Sequence, residues 1–258
     1  MPERVEIREL DPDSITPTMA QVMGNQTGKG SKIVVIGKPG TGKTRLISSL
    51  IFEKRQCFPV GVVMSGTEDS NSQYSTMFPS TFVFDALDMD VLQNFIKRQK
   101  IALKFTECPW ALVLLDDCTD DPRMFRSPLF QGIFKNGRHW ALFFIMSLQY
   151  CIDVPPAMRV NVDGCFILRE TNLRSRKQLY ENYAGVIPSF KLFCEIMDQI
   201  TNDYTALFIH NQVQSNDWRR CVFWYRARPV PENWKFGSRD YWAFHRARFN
   251  ADHRPSFM

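Results

Sequence analysis

The chain has 258 residues, 44% hydrophobic and 23% charged, with 21 Phe; this excludes disordered, collagenous and coiled-coil classes and leaves room for one large domain or two small ones. Its longest uninterrupted apolar run, Trp140 to Met146, falls far short of the roughly 20 residues that a membrane-spanning helix needs. The formal charge of +5 sits at one end: residues 218–258 carry nine Lys/Arg and three Asp/Glu, net +6, which leaves residues 1–217 at −1. That end also holds four of the six Trp, a pairing of charge and aromatic surface suited to gripping a polyanion, with a solvated chain end as the alternative. The N-terminus lacks the basic and then apolar run of a secretory signal, and the seven cysteines show no CxxC spacing. Reduced thiols in an intracellular compartment are expected.

Residues 1–30 carry turn signals (Asp11-Pro12-Asp13, Thr16-Pro17, and Gly24 to Gly30) with little apolar periodicity, and read as a lead-in. From Lys32 short apolar runs alternate with longer amphipathic stretches, which predicts crossover units and a largely parallel sheet. The predicted strands are 33–36, 60–64, 81–84, 111–115, 141–146, 164–168, 204–209 and 222–225, and the predicted helices are 43–54, 89–105, 124–134, 172–183 and 189–200. Past about Arg228, Pro229-Val230-Pro231 and the loss of periodicity predict that the globular domain has ended. The expected organisation is a lead-in at 1–30, an α/β domain at 31–226 and a basic, Trp-rich segment at 227–258.

Gly37-Lys38-Pro39-Gly40-Thr41-Gly42-Lys43-Thr44 is a complete GxxxxGKT phosphate loop between an apolar strand and a helical pattern. Its glycines let backbone N–H groups turn around phosphate oxygens, and the following helix adds its partly positive N-terminus. Lys43 is expected on the β and γ phosphates of ATP and the Thr44 hydroxyl on Mg²⁺. Ala111 to Asp117 is an apolar run closed by two carboxylates, the pattern of a Walker B strand. Asp116 is expected in the Mg²⁺ shell and Asp117 as the group that polarises the attacking water, against the alternative of a solvated acidic turn. The next apolar run ends in Ser147-Leu148-Gln149, where the Gln149 amide reaches the γ-phosphate if this strand neighbours the Walker B strand. No Asn-Lys-x-Asp guanine motif and no LSGGQ-like segment occur, which disfavours GTPases and transporter ATPases. The four His show no metal-cage spacing, so Mg²⁺ with the nucleotide is the one metal inferred.

On these motifs, with Asn136-Gly137-Arg138-His139-Trp140 before the third strand and Val154-Pro155-Pro156-Ala157-Met158-Arg159-Val160-Asn161 after it, the chain resembles the genome packaging ATPases of nucleocytoplasmic large DNA viruses, of the poxvirus and iridovirus type, in the FtsK-HerA superfamily. The similarity covers roughly residues 31–226. It implies a RecA-like ASCE fold, a homo-oligomeric ring (pentamer or hexamer) and ATP-driven movement of double-stranded DNA into a capsid, blind to DNA sequence. It also implies an arginine that completes the neighbouring subunit's site; Arg138 is the matching position and Arg159 the second. Capsid or inner-membrane virion proteins are implied partners, and host cytoplasm and virion the implied locations. Candidate DNA contacts are Lys135 with Arg138, the run Lys97-Arg98-Gln99-Lys100 with Lys104, and the C-terminal segment. Two other readings stay open: a helicase or recombinase acting on single strands, and an assembly protein switched by ATP binding.

Overall fold

Four runs rich in Val, Ile, Leu and Phe, too apolar to leave either face in water, become the centre of a parallel sheet. The computed structural model describes residues 5–23, 30–119 and 121–249; the turn signals predicted at 24–29 and the chain end at 250–258 lie outside them. Strands β1 (Arg8–Glu9), β2 (Ser31–Ile36), β3 (Val60–Ser65), β4 (Val83–Phe84), β5 (Ala111–Asp116), β6 (Leu142–Leu148), β7 (Gly164–Ile167), β8 (Thr205–His210) and β9 (Val222–Arg226) form one sheet in the order β1-β9-β8-β7-β2-β6-β5-β3-β4. From β7 to β4 every pairing is parallel, whereas β8 runs antiparallel to both β7 and β9. Every residue of β2, β5 and β6 is buried.

Alternation along the strands divides the core in two. In β5, Ala111, Val113 and Leu115 pack with α4 (Met89–Phe105), α5 (Pro128–Asn136), α7 (Leu173–Tyr183) and α8 (Phe190–Ile200). Leu112 and Leu114 face the other side, against α2 (Lys43–Glu53) and residues from both chain ends. The short helices α1 (Met19–Met23), α3 (Glu68–Asn71) and α6 (Pro156–Arg159) lie in connections. Among the described residues no helix is long and apolar enough to cross a membrane.

The α/β architecture expected from the alternation is observed, with four differences. The strand predicted at 81–84 is a 3-10 turn, Ser80–Phe82, followed by the two-residue β4. The helix predicted at 124–134 divides into a 3-10 segment, Pro122–Arg126, and α5, because Pro128 holds Ser127 extended and the Ser127 hydroxyl accepts from Phe130 N to start a new helix. Nor does the globular unit end at Arg228. Phe236 is fully buried and stacks on Phe78 at 4.4 Å between ring centroids, and Phe236 N donates to Met77 O at 2.9 Å. Ser238 then caps α9 (Arg239–Arg248), whose Tyr241 hydroxyl donates to Gly61 O at 2.5 Å. The lead-in is equally committed: β1 pairs with β9, Leu10 and Ile15 are buried, and the buried Lys54 ammonium donates to Ile15 O and Pro17 O.

Phe236→Ala is therefore expected to destabilise the protein by about 3–5 kcal/mol, the scale of a large-to-small core change. Urea unfolding checks it; a tail residue would change the unfolding free energy by less than about 0.5 kcal/mol.

Candidate functional site

In a parallel sheet the carboxyl ends of the strands share one edge, and β6 pairs with both β2 and β5, so three motifs meet there. The phosphate loop leaves β2 at Gly37, whose N–H donates to Leu148 O at the end of β6. The backbone turns through left-handed conformations at Gly40 (φ 77°) and Gly42 (φ 98°), and Gly42 is the N-cap of α2. A Cβ on Gly40 would meet nothing within 4 Å, so the loop stands open around its outer turn. Thr41 Oγ1 donates to Lys38 O at 2.7 Å, and the exposed Lys38 ammonium is 2.7 Å from Glu170 Oε1. Pro39 is exposed, and Thr44, the second residue of α2, is half-buried.

Lys43 is buried, and its ammonium donates to Gly37 O at 2.9 Å and lies 3.3 Å from Asp117 Oδ2. The two carboxylates at the end of β5 have different surroundings. Asp116 is 1% exposed and accepts from the Tyr74 hydroxyl at 2.7 Å and from the Ser147 hydroxyl. Burial pushes the Asp116 carboxyl above the usual carboxylate range, and the Ser147 and Tyr74 hydrogen bonds pull it part of the way back. Burial and the adjacent Asp116 charge hold the Tyr74 phenol well above its usual range, so it stays a donor. Asp117 has an 18% exposed side chain and a left-handed backbone (φ 49°), with its N–H donating to Ser147 Oγ at 2.9 Å. Gly66 makes that turn possible, since a Cβ there would lie 2.5 Å from Asp117 O.

Gln149 is exposed one residue past β6, on a crevice lined by Gly37, Lys38 and Glu170. The structure thus brings residues 37–44, Asp116, Asp117 and Gln149 to one edge. Arg138 lies elsewhere. It forms an ion pair with Asp163, which also holds Lys32 Nζ at 3.1 Å and accepts from Lys32 N at the start of β2. The length of β2, about 20 Å, separates that cluster from the phosphate loop of the same chain. Arg159 sits over the Tyr183 ring at 5.9 Å. Ser147 and Tyr74 escaped the sequence reading: Ser147 stands inside the motif that singled out Gln149, but Tyr74 lies in a polar stretch without periodicity.

A strand inserted between the phosphate-loop strand and the acid-pair strand decides the class: this is a P-loop NTPase fold of the RecA-like ASCE type. Solved structures agree on the fold. The genome packaging NTPase B204 from Sulfolobus turreted icosahedral virus 2, in complex with AMP, matches with a TM-score of 0.56 at 14% identity, over 78% of this chain and 98% of that one. The pCW3 conjugation coupling protein TcpA, in its monomer form with ATPγS, matches with a TM-score of 0.51 at 10% identity, over 77% of this chain and 60% of that one. No family model matches the chain. Sequence relatives are closer: protein 088R of Invertebrate iridescent virus 3 is 48% identical over 240 residues, 92% of each chain. Protein 015R of Frog virus 3 is 36% identical over 246 residues, 94% of this chain and 75% of that one. The chain belongs to the family of these iridovirus proteins, and it shares the fold of a viral genome packaging NTPase, as the resemblance implies.

In a ¹³C-carboxyl NMR titration, Asp116 is expected to titrate above the ordinary aspartate range. Because the Ser147 hydroxyl favours the ionised form, Ser147→Ala is expected to move that midpoint higher still; a midpoint that moves down or stays put contradicts this assignment.

Proposed function

We propose that the protein is an ATPase that couples hydrolysis to sequence-independent movement of double-stranded DNA during virion assembly. The observation that carries the hydrolytic part is the delivery of the acid pair and the buried Lys43 ammonium to one crevice by the β2-β6-β5 order. The open loop, the half-buried Thr44 hydroxyl and the hydrogen-bonded Asp116 carboxylate fit a nucleotide with Mg²⁺, a cation that prefers oxygen ligands. Thr44 and Asp116 would hold it, and when bound it offsets the charge of the phosphate oxygens.

The loop backbone and Lys43 bind and orient the phosphates. Asp117, the more exposed carboxylate, accepts a proton from water as the water oxygen bonds to the γ-phosphorus and the bond to the β,γ-bridging oxygen breaks, leaving ADP and phosphate. The Ser147 hydroxyl orients Asp116 and Asp117, and Gln149 marks the γ-phosphate end of the crevice. Arg138 of a neighbouring subunit, freed from Asp163, supplies charge to the transferring group, and Arg159 is the second choice. The DNA part rests on the viral family and on exposed Arg219, Arg220, Arg226, Arg239, Arg246 and Arg248 towards one chain end. Single-strand binding is less favoured. The tryptophans that would serve it as a stacking platform are packed: Trp218 is buried, Trp234 meets Phe52 edge-on at 5.2 Å, and Trp242 Nε1 donates to Phe236 O at 2.8 Å.

Steady-state hydrolysis with and without long duplex DNA tests the proposal. Turnover is expected to rise with duplex at low salt and to fall roughly 10²–10⁴-fold in Asp117→Asn. Arg138→Ala is expected to retain ATP binding and lose about 10³-fold or more in turnover. Turnover indifferent to duplex, with Arg138→Ala matching wild type, would overturn the motor reading.

A further inference from the structure

Between α8 and β8 the chain makes a tight turn through two consecutive non-glycine residues in the left-handed region, Asp203 at φ 50° and Tyr204 at φ 59°. Thr205 N donates to Asn202 O at 3.0 Å across it, so both central residues carry the positive φ of a type I′ turn. Such positions favour Gly, Asn or Asp, and a bulky aromatic there is an outlier. Packing does not account for it, because Tyr204 is 63% exposed.

Its location does. β8 runs antiparallel to β7, with Ile167 opposite Leu207, so the turn before β8 emerges at the edge where β2 delivers the phosphate loop. A Cβ built on Gly42 would stand 3.1 Å from Tyr204 Cδ1 and 3.6 Å from Tyr204 Cβ, so the ring abuts the last glycine of that loop. The turn is tethered on its other side, where Arg169, just beyond β7, donates to the Asn202 side chain. A strained backbone thus holds an exposed aromatic ring beside an anion cradle, and the phosphates that fit the cradle belong to a molecule with an aromatic base.

We propose that Tyr204 is the platform on which the base of the bound nucleoside triphosphate stacks. This rests on the nucleotide reading of residues 37–44. Gly42 has a second role in it, since a side chain there would push the ring off its place.

Binding of ATP and of inorganic tripolyphosphate, which has no base, is measured by calorimetry on the full chain for wild type, Tyr204→Ala, Tyr204→Phe and Tyr204→Gly. Tyr204→Ala is expected to weaken ATP roughly 5- to 150-fold, the range of one base stacked on an aromatic side chain, and to leave tripolyphosphate unchanged. Tyr204→Phe should bind ATP as wild type does. Tyr204→Gly should lose ATP affinity while its urea midpoint holds or rises, because glycine relaxes the turn. Equal loss of both ligands, or undiminished ATP binding in Tyr204→Ala, overturns the platform. Wild type that binds neither ligand fails the phosphate-loop reading itself.

Discussion

The pairing of β6 with β2 on one side and β5 on the other is the constraint on which the rest of this structure depends. The register sets Ile36 opposite Leu148 and Leu115 opposite Met146, so the phosphate loop, the acid pair and Ser147 leave the sheet at one level. A one-residue slip would turn every side chain of β6 to the other face and carry the Ser147 hydroxyl away from both carboxylates. Burial of every residue of the three strands specifies that register, since each face packs against its own core. The helices, chain ends and connections are arranged around that unit.

Several local costs lie where the chemistry is proposed. Asp116 keeps a carboxylate in a buried position that disfavours its charge, with two hydroxyl donors offsetting part of the penalty. Asp117 holds a left-handed conformation, and so does Tyr204, whose bulky side chain resists it. Lys43 lies buried between a carbonyl and a carboxylate. None of these features improves the fold, and each sits on the edge where β2, β5 and β8 meet the crevice. Such costs are expected when a site is preorganised against local preference and supported by a well-packed sheet.

Parts of both chain ends cover one face of the sheet, although neither end carries a periodic apolar pattern. Leu10, Ile15, Phe236 and Tyr241 fill gaps over α2, β3 and their neighbours. Exposed arginines then stand on a rigid element: α9 presents Arg239, Arg246 and Arg248 on a helix anchored by Tyr241. Charge and packing coexist there because long basic side chains extend into water while Tyr241 faces inward.

What the sequence by itself determined was whatever local pattern encodes. The phosphate loop, the acid pair, the strand that ends at Gln149 and the alternation of strands and helices are all contiguous, so their residue types and spacing carry the physical reason for each. Lys43, Asp116 and Asp117 were legible for that reason. Only the tertiary structure decided what joins residues distant in the chain: Tyr74 on Asp116, Asp163 on Arg138, Tyr204 against Gly42, and Phe236 on Phe78. A single hydroxyl or ring placed across tens of residues leaves no periodicity to read, because its partner is chosen by strand order and burial. The same holds for α9, which packs over a sheet face, and for β1, which extends the sheet edge beside β9; their weak local patterns become structure only there.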